Sequence, residues 1–464
     1  MGAERTERPL RVAVVGSGPA GVYAAEALLR ADPPVDVEVD VLDALPTPFG
    51  LVRYGVAPDH FKIKSVARTL TKVMEDPRVR FVGNVEFGED LTLDDLRAHY
   101  DATVFATGSP HDRRLGVPGE DLPGSHAAAD FVAWYSGHPA YAPAFPLGAR
   151  EVAVIGAGNV ALDVARVLAL GAEGLAHTDV PDAALEALAA HPVDDIHIVA
   201  RRGPAQAKFT LVELREMAEL PGTDVVVHAE ELEVDAAGEE AMAKRRPTRS
   251  MVELFRTWAE RPASGAARRI HFRFLRRPVE VVGPDRVNAV RLERSTLDGA
   301  GRAVGTGEIE TLPAQMVIRS IGYRGSPLPG LPFDDDSATV PNDSGRVLDD
   351  DGTPVPGLYV AGWIKRGPTG VIGTNRSDAT ETVHALLADA EGGKVPAAPQ
   401  TAADAVTARL RDRGTRFVTW DGWQSIDAYE QRLGEPRGRD RAKTPDLAAM
   451  LAAIGSGRVS GDHE

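Results

Sequence analysis

The chain has 464 residues, of which 43% are hydrophobic and 26% charged, contains no cysteine, and carries a formal net charge of −16. That length allows two or three domains with a large core. The missing cysteine excludes disulfides, thiolate-held iron–sulfur clusters and a redox-active Cys-x-x-Cys pair; the acidic balance argues against nucleic-acid binding, and no apolar run approaches the ~18 residues of a membrane span.

The opening MGAERTERP is short and polar and lacks the apolar stretch of a signal peptide, so the cytoplasm is the expected location. Leu10–Val15 follows as an apolar run of the kind that forms a buried parallel strand. Gly16, Gly18 and Gly21 then fall at G-x-G-x-x-G spacing, and Ala20 to Arg30 is a run of helix formers. Strand, glycine turn and helix are the context in which that spacing binds a dinucleotide. Gly16 permits the tight turn, Gly18 lets backbone approach a pyrophosphate, and Gly21 lets the helix pack on the strand and present its first amides to the phosphates. Val35 to Asp43 alternates like a strand. It ends at Asp43, ~20 residues past the glycines, where a carboxylate accepts from a ribose.

Leu45 to Lys64 (LPTPFGLVRYGVAPDHFKIK) has too much proline and glycine for a regular element and too many aromatics for a free linker. An ordered loop over a ligand is expected. A helix from Ser65 to Met74 and strands over Val79 to Val85 and Ala102 to Gly108 follow, and VPGEDLPG, Val117 to Gly124, reads as a linker and first boundary.

The opening pattern then returns. Glu151 to Ile155 is strand-like, Gly156 to Ala161 reads G-x-G-x-x-A, and Leu162 to Leu170 continues as helix. The next strand, Asp194 to Ala200, ends at Arg201 and Arg202, where an NAD site carries an acid. Two guanidinium groups there suit a 2′-phosphate, so NADP is expected over NAD. Phe209 to Leu220 reads as one amphipathic helix carrying Glu213 and Glu216. Val225 to Val227, Arg269 to Leu275, Val287 to Glu293 and Met316 to Ile321 are candidate strands of this second unit. Basic runs at Lys244 to Arg249, Ala267 to Arg269 and Arg276–Arg277 read either as a salt-bridged surface or as a face for an acidic partner. After the strand-like GLYVAG, Gly357 to Gly362, a glycine-rich turn leads into a helix from about Ser377 to Ala390. Thr401 to Arg413 and Ser425 to Leu433 read as helical, and the closing GSGRVSGDHE reads as disordered.

Taken together, VAVVGSGPAG, LPTPFGLVRYGVAPDH, IGAGNVALDVARVL, RRGPAQAKFTLVELRE, LPAQMVIRSIGYRG and AGWIKRGPTGVIGTN resemble the adrenodoxin-reductase-like ferredoxin–NADP reductases of the actinobacterial type. The resemblance implies an α/β fold with two dinucleotide-binding, Rossmann-like domains of the glutathione-reductase-like type, the second inserted in the first. Residues 1–115 and 325–464 would form the FAD-binding domain and residues 116–324 the NADP-binding domain. By motif, FAD would contact Ala20, Asp43, Leu51, Phe87, Trp363 and the run Gly370, Val371, Ile372. NADP would contact Asn159, Val160, Ala161, Arg201, Arg202, Glu213 and Gly370, beside the turn of Gly156 and Gly158. The family usually has glutamate where this chain has Asp43, and often valine at Phe87.

The implied chemistry is hydride transfer from NADPH to FAD and single-electron transfer to a ferredoxin, with FAD supplying the chemistry and the protein binding and tuning it. No metal is expected. Gly370 would let the nicotinamide stack close to the flavin. His60, Glu216 and Asp163 are the candidates for handling the flavin proton or steadying the nicotinamide. Three other readings are a glutamate-synthase-like flavoprotein subunit, which usually adds a cysteine-rich cluster domain absent here, a flavin monooxygenase, and a non-catalytic dinucleotide-binding module.

Overall fold

The computed structural model describes residues 8–141 and 144–455. Two sheets organise it. The first opens with β1 (Leu10–Val15), α1 (Pro19–Leu29), β2 (Val37–Asp43), β3 (Val79–Gly83) and β4 (Ala102–Phe105). Its parallel core runs β3-β2-β1-β4 and is extended by Pro354–Val360, which pairs parallel with β4. Two short antiparallel strands, Arg346–Leu348 and Asn342–Asp343, finish that edge. The second sheet is drawn from Ser125–Ala127, Met316–Arg319, Glu151–Ile155, Asp195–Val199, Arg268–Arg273 and Thr223–Val227, in that spatial order, all parallel. Because the first sheet closes only with a strand that follows the whole second sheet in sequence, the second unit is inserted in the first.

Burial explains the apolar strands. Val12, Ala13 and Val14 are wholly buried, as are Val152, Ala153 and Val154, because both faces of each parallel sheet are covered, the second sheet by helices on one face and by Val281, Val290 and Leu312 on the other. Val22, Ala25 and Leu28 of α1 pack with Ala379, Val383 and Leu386 of the helix Thr374–Glu391. Two glycines make the first turn possible. Gly16 has φ +109°, and a Cβ there would run into the carbonyl of Ala106, just past β4; a Cβ at Gly21 would meet the carbonyl of Gly16.

Several elements differ from expectation. The loop of residues 45–64 contains two single-turn helices, Leu51–Tyr54 and Phe61–Lys64. Phe49, Val52, Tyr54 and Ala57 are buried, so aromatic packing shapes it. The segment Phe209 to Leu220 is a short helix, Leu211–Glu216, tightening into a 3₁₀ turn, Met217–Glu219. The helix expected from Ser377 begins at Thr374, and the one expected from Ser425 is Trp420–Gly434, started by the Thr419 hydroxyl accepting from the Gly422 amide. Val287 to Glu293 only overlaps the observed strand, Ala289–Leu297, which lies in a separate antiparallel sheet with Arg276–Val282 and Ala303–Pro313. The last of these is largely exposed, so its sequence carries little apolar signal. From residue 456 the closing GSGRVSGDHE lies outside the described residues.

Half of the cations in the basic runs are paired with acids. Lys244 pairs with Glu240, Arg269 with Asp195, Arg276 with Glu231 and Glu310, and Arg277 with Glu293. Residues 246–249 open a helix, Arg246–Ala259, whose Met251, Val252, Phe255 and Trp258 are buried at helical spacing.

Candidate functional site

In both units a helix starts at a glycine with no side-chain cap: α1 at Gly18 and Asn159–Leu175 at Gly158. Nothing lies within 4 Å of where a Cβ would stand on either glycine. Each unit thus has an open cradle of backbone amides at a positive helix end, the arrangement that accepts a pyrophosphate.

Around the first cradle, Asp43 stands at the end of β2. Its carboxylate accepts from the amide of Ser17 at 2.8 Å, the Ser17 hydroxyl at 2.5 Å, and the amide of Leu45 at 2.9 Å. Burial pushes this carboxyl up, and those hydrogen bonds pull it part of the way back. A carboxylate offers about four acceptor sites, so one remains for a ribose hydroxyl. Asp43 therefore fastens the glycine loop as well as edging the groove. Ala20 is buried in α1, and its Cβ is what a side chain at Gly362 would strike. Phe87 turns its ring edge-on to Phe105, with centroids 5.0 Å apart.

Leu51, at 41% exposure, and Val371, at 66%, are large apolar side chains left uncovered. Trp363 follows Gly362 and lays its ring on that of Tyr323, centroids 5.4 Å apart. Tyr323 sits on a two-residue strand paired with His111–Asp112, where the chain passes between the sheets. Burial, with Asp163 and Tyr141 nearby, pushes the Tyr323 phenol up. Gly370 has φ +84°, and a Cβ there would strike Thr374, so its glycine is required by the turn before any ligand is considered. Ile372 is half-buried against the first core.

Around the second cradle, Arg201 is exposed and Arg202 half-buried. Burial, then the neighbouring Arg201, lowers the Arg202 guanidinium. Among the described residues no carboxylate pairs with either, although most other arginines here have one. Asn159 accepts from the Thr210 amide at 2.8 Å, and Lys208 donates its amide to the Ala157 carbonyl at 2.8 Å. These bonds tie the loop after the arginines to the glycine turn. Glu213 keeps a buried, unpartnered Oε2, and burial with nearby Asp163 raises its carboxyl.

The three candidate proton-handling residues come together between the units. His60 Nε2 lies 3.3 Å from Glu216 Oε2 and 4.0 Å from Asp163 Oδ1. Asp163 is raised by burial, against the pull of Arg166. Asp59 and Arg166 complete the cluster and escaped the sequence reading. Arg166 lies one helical turn from Asp163 and Asp59 directly precedes His60, so an i, i+3 acid–base pair and a neighbouring acid were the available signals.

The sequence matches the family model of pyridine nucleotide-disulphide oxidoreductases over residues 10–372. It is 49% identical over 457 residues to NADPH-ferredoxin reductase FprA of Mycobacterium tuberculosis, covering 96% of this chain and 99% of that one. The chain belongs to the adrenodoxin-reductase-like ferredoxin–NADP reductases. Within that family the human mitochondrial NADPH:adrenodoxin oxidoreductase is 42% identical, over 97% of this chain and 93% of the relative. A solved structure of Mycobacterium tuberculosis FprA in complex with NADPH superposes with a TM-score of 0.90 at 48% identity, covering 96% of this chain and all of that one. A chain without cysteine cannot perform the disulfide chemistry for which the broader family is named. Among the described residues no helix is long and apolar enough to cross a membrane, and no group of three or more His, Asp or Glu side chains is placed to hold a metal ion.

Proposed function

We propose that this protein is an FAD-dependent ferredoxin–NADP reductase, which accepts a hydride from NADPH and delivers electrons singly to a ferredoxin. The observation that carries the reading is the pair of open amide cradles, one edged by an acid and one by two unpaired arginines. Residues 1–115 and 325–464 form the flavin unit in this reading, and residues 116–324 the nicotinamide nucleotide unit. FAD, when bound, supplies the conversion between a two-electron hydride donor and a one-electron acceptor.

The chain's own residues bind and orient. Gly16, Gly18, Ala20 and Gly21 present the amides of α1 to the flavin's pyrophosphate, while Asp43 orients its ribose. Leu51, Trp363, Val371 and Ile372 supply apolar and backbone contacts around the ring system, and Phe87 offers backbone to the adenine. Gly156, Gly158, Asn159, Val160 and Ala161 hold the second pyrophosphate. Arg201 and Arg202 grip the 2′-phosphate with charge-assisted hydrogen bonds, and Glu213 and Gly370 border the nicotinamide end. His60, paired with Glu216 and close to Asp163, holds or moves a proton at its Nε2. The cytoplasm is the location that fits this role.

The test is optical. The purified protein, reconstituted with FAD, should show a flavin spectrum that NADPH bleaches, and NADPH should then drive reduction of a ferredoxin from the same cell. A protein that takes up FAD but is not bleached by NADPH would overturn the reductase and leave a binding module.

A further inference from the structure

The cluster between the units is built from three segments. Asp59 and His60 belong to the loop before Phe61–Lys64, Asp163 and Arg166 to the helix Asn159–Leu175, and Glu213 and Glu216 to the helix Leu211–Glu216. Among the described residues Arg166 is the only Arg or Lys that pairs with carboxylates of all three. Its side chain is 2% exposed. Nε donates to Asp59 Oδ2 at 2.6 Å and Nη2 to Asp59 Oδ1 at 3.1 Å, a two-pronged grip across the junction. Nη2 also donates to Asp163 Oδ1 at 2.7 Å. Nη1 is buried without a hydrogen-bond partner and lies 4.0 Å from Glu216 Oε2.

This is more than an ion pair between two units. Burial alone would raise the Asp59 carboxyl, yet the hydrogen bond and charge of Arg166 hold it below the ordinary carboxylate range. An ionised Asp59 thus pins the backbone beside His60. Glu216 stands 3.3 Å from the imidazole Nε2 and 4.0 Å from the unbonded Nη1 of the same guanidinium. A planar fork can serve acids on two sides at fixed geometry, which an ammonium cannot.

We propose that Arg166 is a positioning residue: by gripping Asp59 across the junction it fixes the adjacent His60 against Glu216, with its charge facing Glu216 across 4.0 Å. The inference rests on the reading that His60 and Glu216 serve hydride transfer. An ion pair of purely structural value would change stability while leaving the rate and pH profile of the folded holoenzyme as they were.

The test compares Arg166→Met, Arg166→Lys and Asp59→Asn holoenzymes by rapid-mixing measurement of flavin reduction by NADPH across pH, with NADP+ affinity measured by calorimetry. Misplacing a reacting group by a fraction of an ångström is costly, so Arg166→Met and Asp59→Asn should each slow reduction at least roughly tenfold. NADP+ affinity should change less than about threefold, since Arg166 and Asp59 hydrogen-bond to each other and to Asp163 rather than to the glycine turn or to Arg201 and Arg202. The pH profiles should separate the two variants. The groups facing Arg166 are Asp59, His60, Asp163, Glu213 and Glu216, with the phenol of Tyr135 nearby. Losing the cation makes these groups hold protons more tightly, moving the acid limb up by about one unit; losing the Asp59 charge moves it down by a similar amount. Arg166→Lys should keep the wild-type limb and recover only part of the rate. Asp59→Asn alters no volume, so it remains informative if Arg166→Met fails to fold. Rates within twofold of wild type with unmoved limbs, or a loss accounted for by weaker NADP+ binding, would overturn the proposal. A wild-type flavin left oxidised by NADPH would instead overturn the reductase reading beneath it.

Discussion

The two cradles share a backbone device and differ at the strand end beside it. At the first, the acid Asp43 is already engaged: it accepts from Ser17 and Leu45 and holds the loop in shape. At the second, Arg201 and Arg202 stand side by side with no counter-charge among the described residues, and the nucleotide's phosphate is what would satisfy them. A site whose polar groups are satisfied internally suits a ligand that stays. A site left with uncompensated charge suits one that arrives and leaves, because each arrival relieves the repulsion. The glycine turn reports only that a pyrophosphate is held; the strand end says which nucleotide and on what terms.

The sharpest way to break that contrast is at the arginines. A charge-assisted hydrogen bond contributes about 1.5–3 kcal/mol, so Arg202→Ala should raise the KM for NADPH by roughly ten- to a hundredfold. NADH, which lacks the 2′-phosphate, should be nearly unaffected, and turnover at saturating NADPH should largely survive because that contact is made equally in ground and transition states. Arg201→Ala should act in the same direction. Steady-state kinetics with both coenzymes checks this; an unchanged preference in both variants would place the phosphate elsewhere.

The first cradle should respond differently. Asp43→Ala leaves the buried Ser17 amide and hydroxyl unsatisfied, at a cost of about 1–3 kcal/mol. The apoprotein itself should melt lower, and FAD should be retained less well on gel filtration. An apoprotein with unchanged melting would show that Asp43 serves the ligand alone.

A smaller effect is expected beneath the same cradle, at Asp101. It accepts from Arg8 twice at 2.7 Å, from the Arg11 amide of β1 at 2.9 Å, and from the Ala398 amide at 2.8 Å. Burial raises this carboxyl, but Arg8 and the two amides outweigh it and hold it below the ordinary range. A depressed carboxyl contributes stability that is present above its unfolded value of ~3.9 and lost as pH falls through the folded one. Asp101→Asn should therefore cost about 1–2 kcal/mol at pH 7, and the gap should close in acid as pH falls past the ordinary carboxylate range. Denaturant midpoints at pH 7 and in acid test the sign. The weakest expected effect is on partner docking. With Lys244, Arg269, Arg276 and Arg277 already paired, salt between roughly 0.05 and 0.3 M should slow ferredoxin reduction only severalfold. A collapse of the rate over that range would mean that these pairs open to meet the partner.

The sequence exposed what is periodic and local. The glycines sit where strand meets helix, and Asp43, Arg201 and Arg202 could be placed by their distance from those turns. His60, Asp163 and Glu216 were singled out in three separate segments, and their convergence needed the tertiary structure. Asp59 and Arg166 were passed over because an acid beside a proline and an arginine inside a helix look like ordinary surface chemistry until burial is known. The antiparallel sheet of residues 276–313 was only glimpsed, since its last strand is largely exposed and carries little apolar signal, and Arg246–Ala259 was hidden behind its basic start.

The placement of Pro354–Val360 also governs how the molecule can be made. As the ribosome delivers the chain, β1 to β4 emerge first, yet the strand that covers the edge of β4 is among the last. Every strand of the second sheet, from Ser125–Ala127 to Met316–Arg319, is synthesised in the interval. The later unit in sequence can thus finish first, while the earlier one waits with β4 unpaired on one side. An unpaired apolar edge is the feature that recruits other chains during folding. A stalled or truncated product ending before residue 354 would keep that edge open permanently, and such fragments should aggregate through the N-terminal sheet.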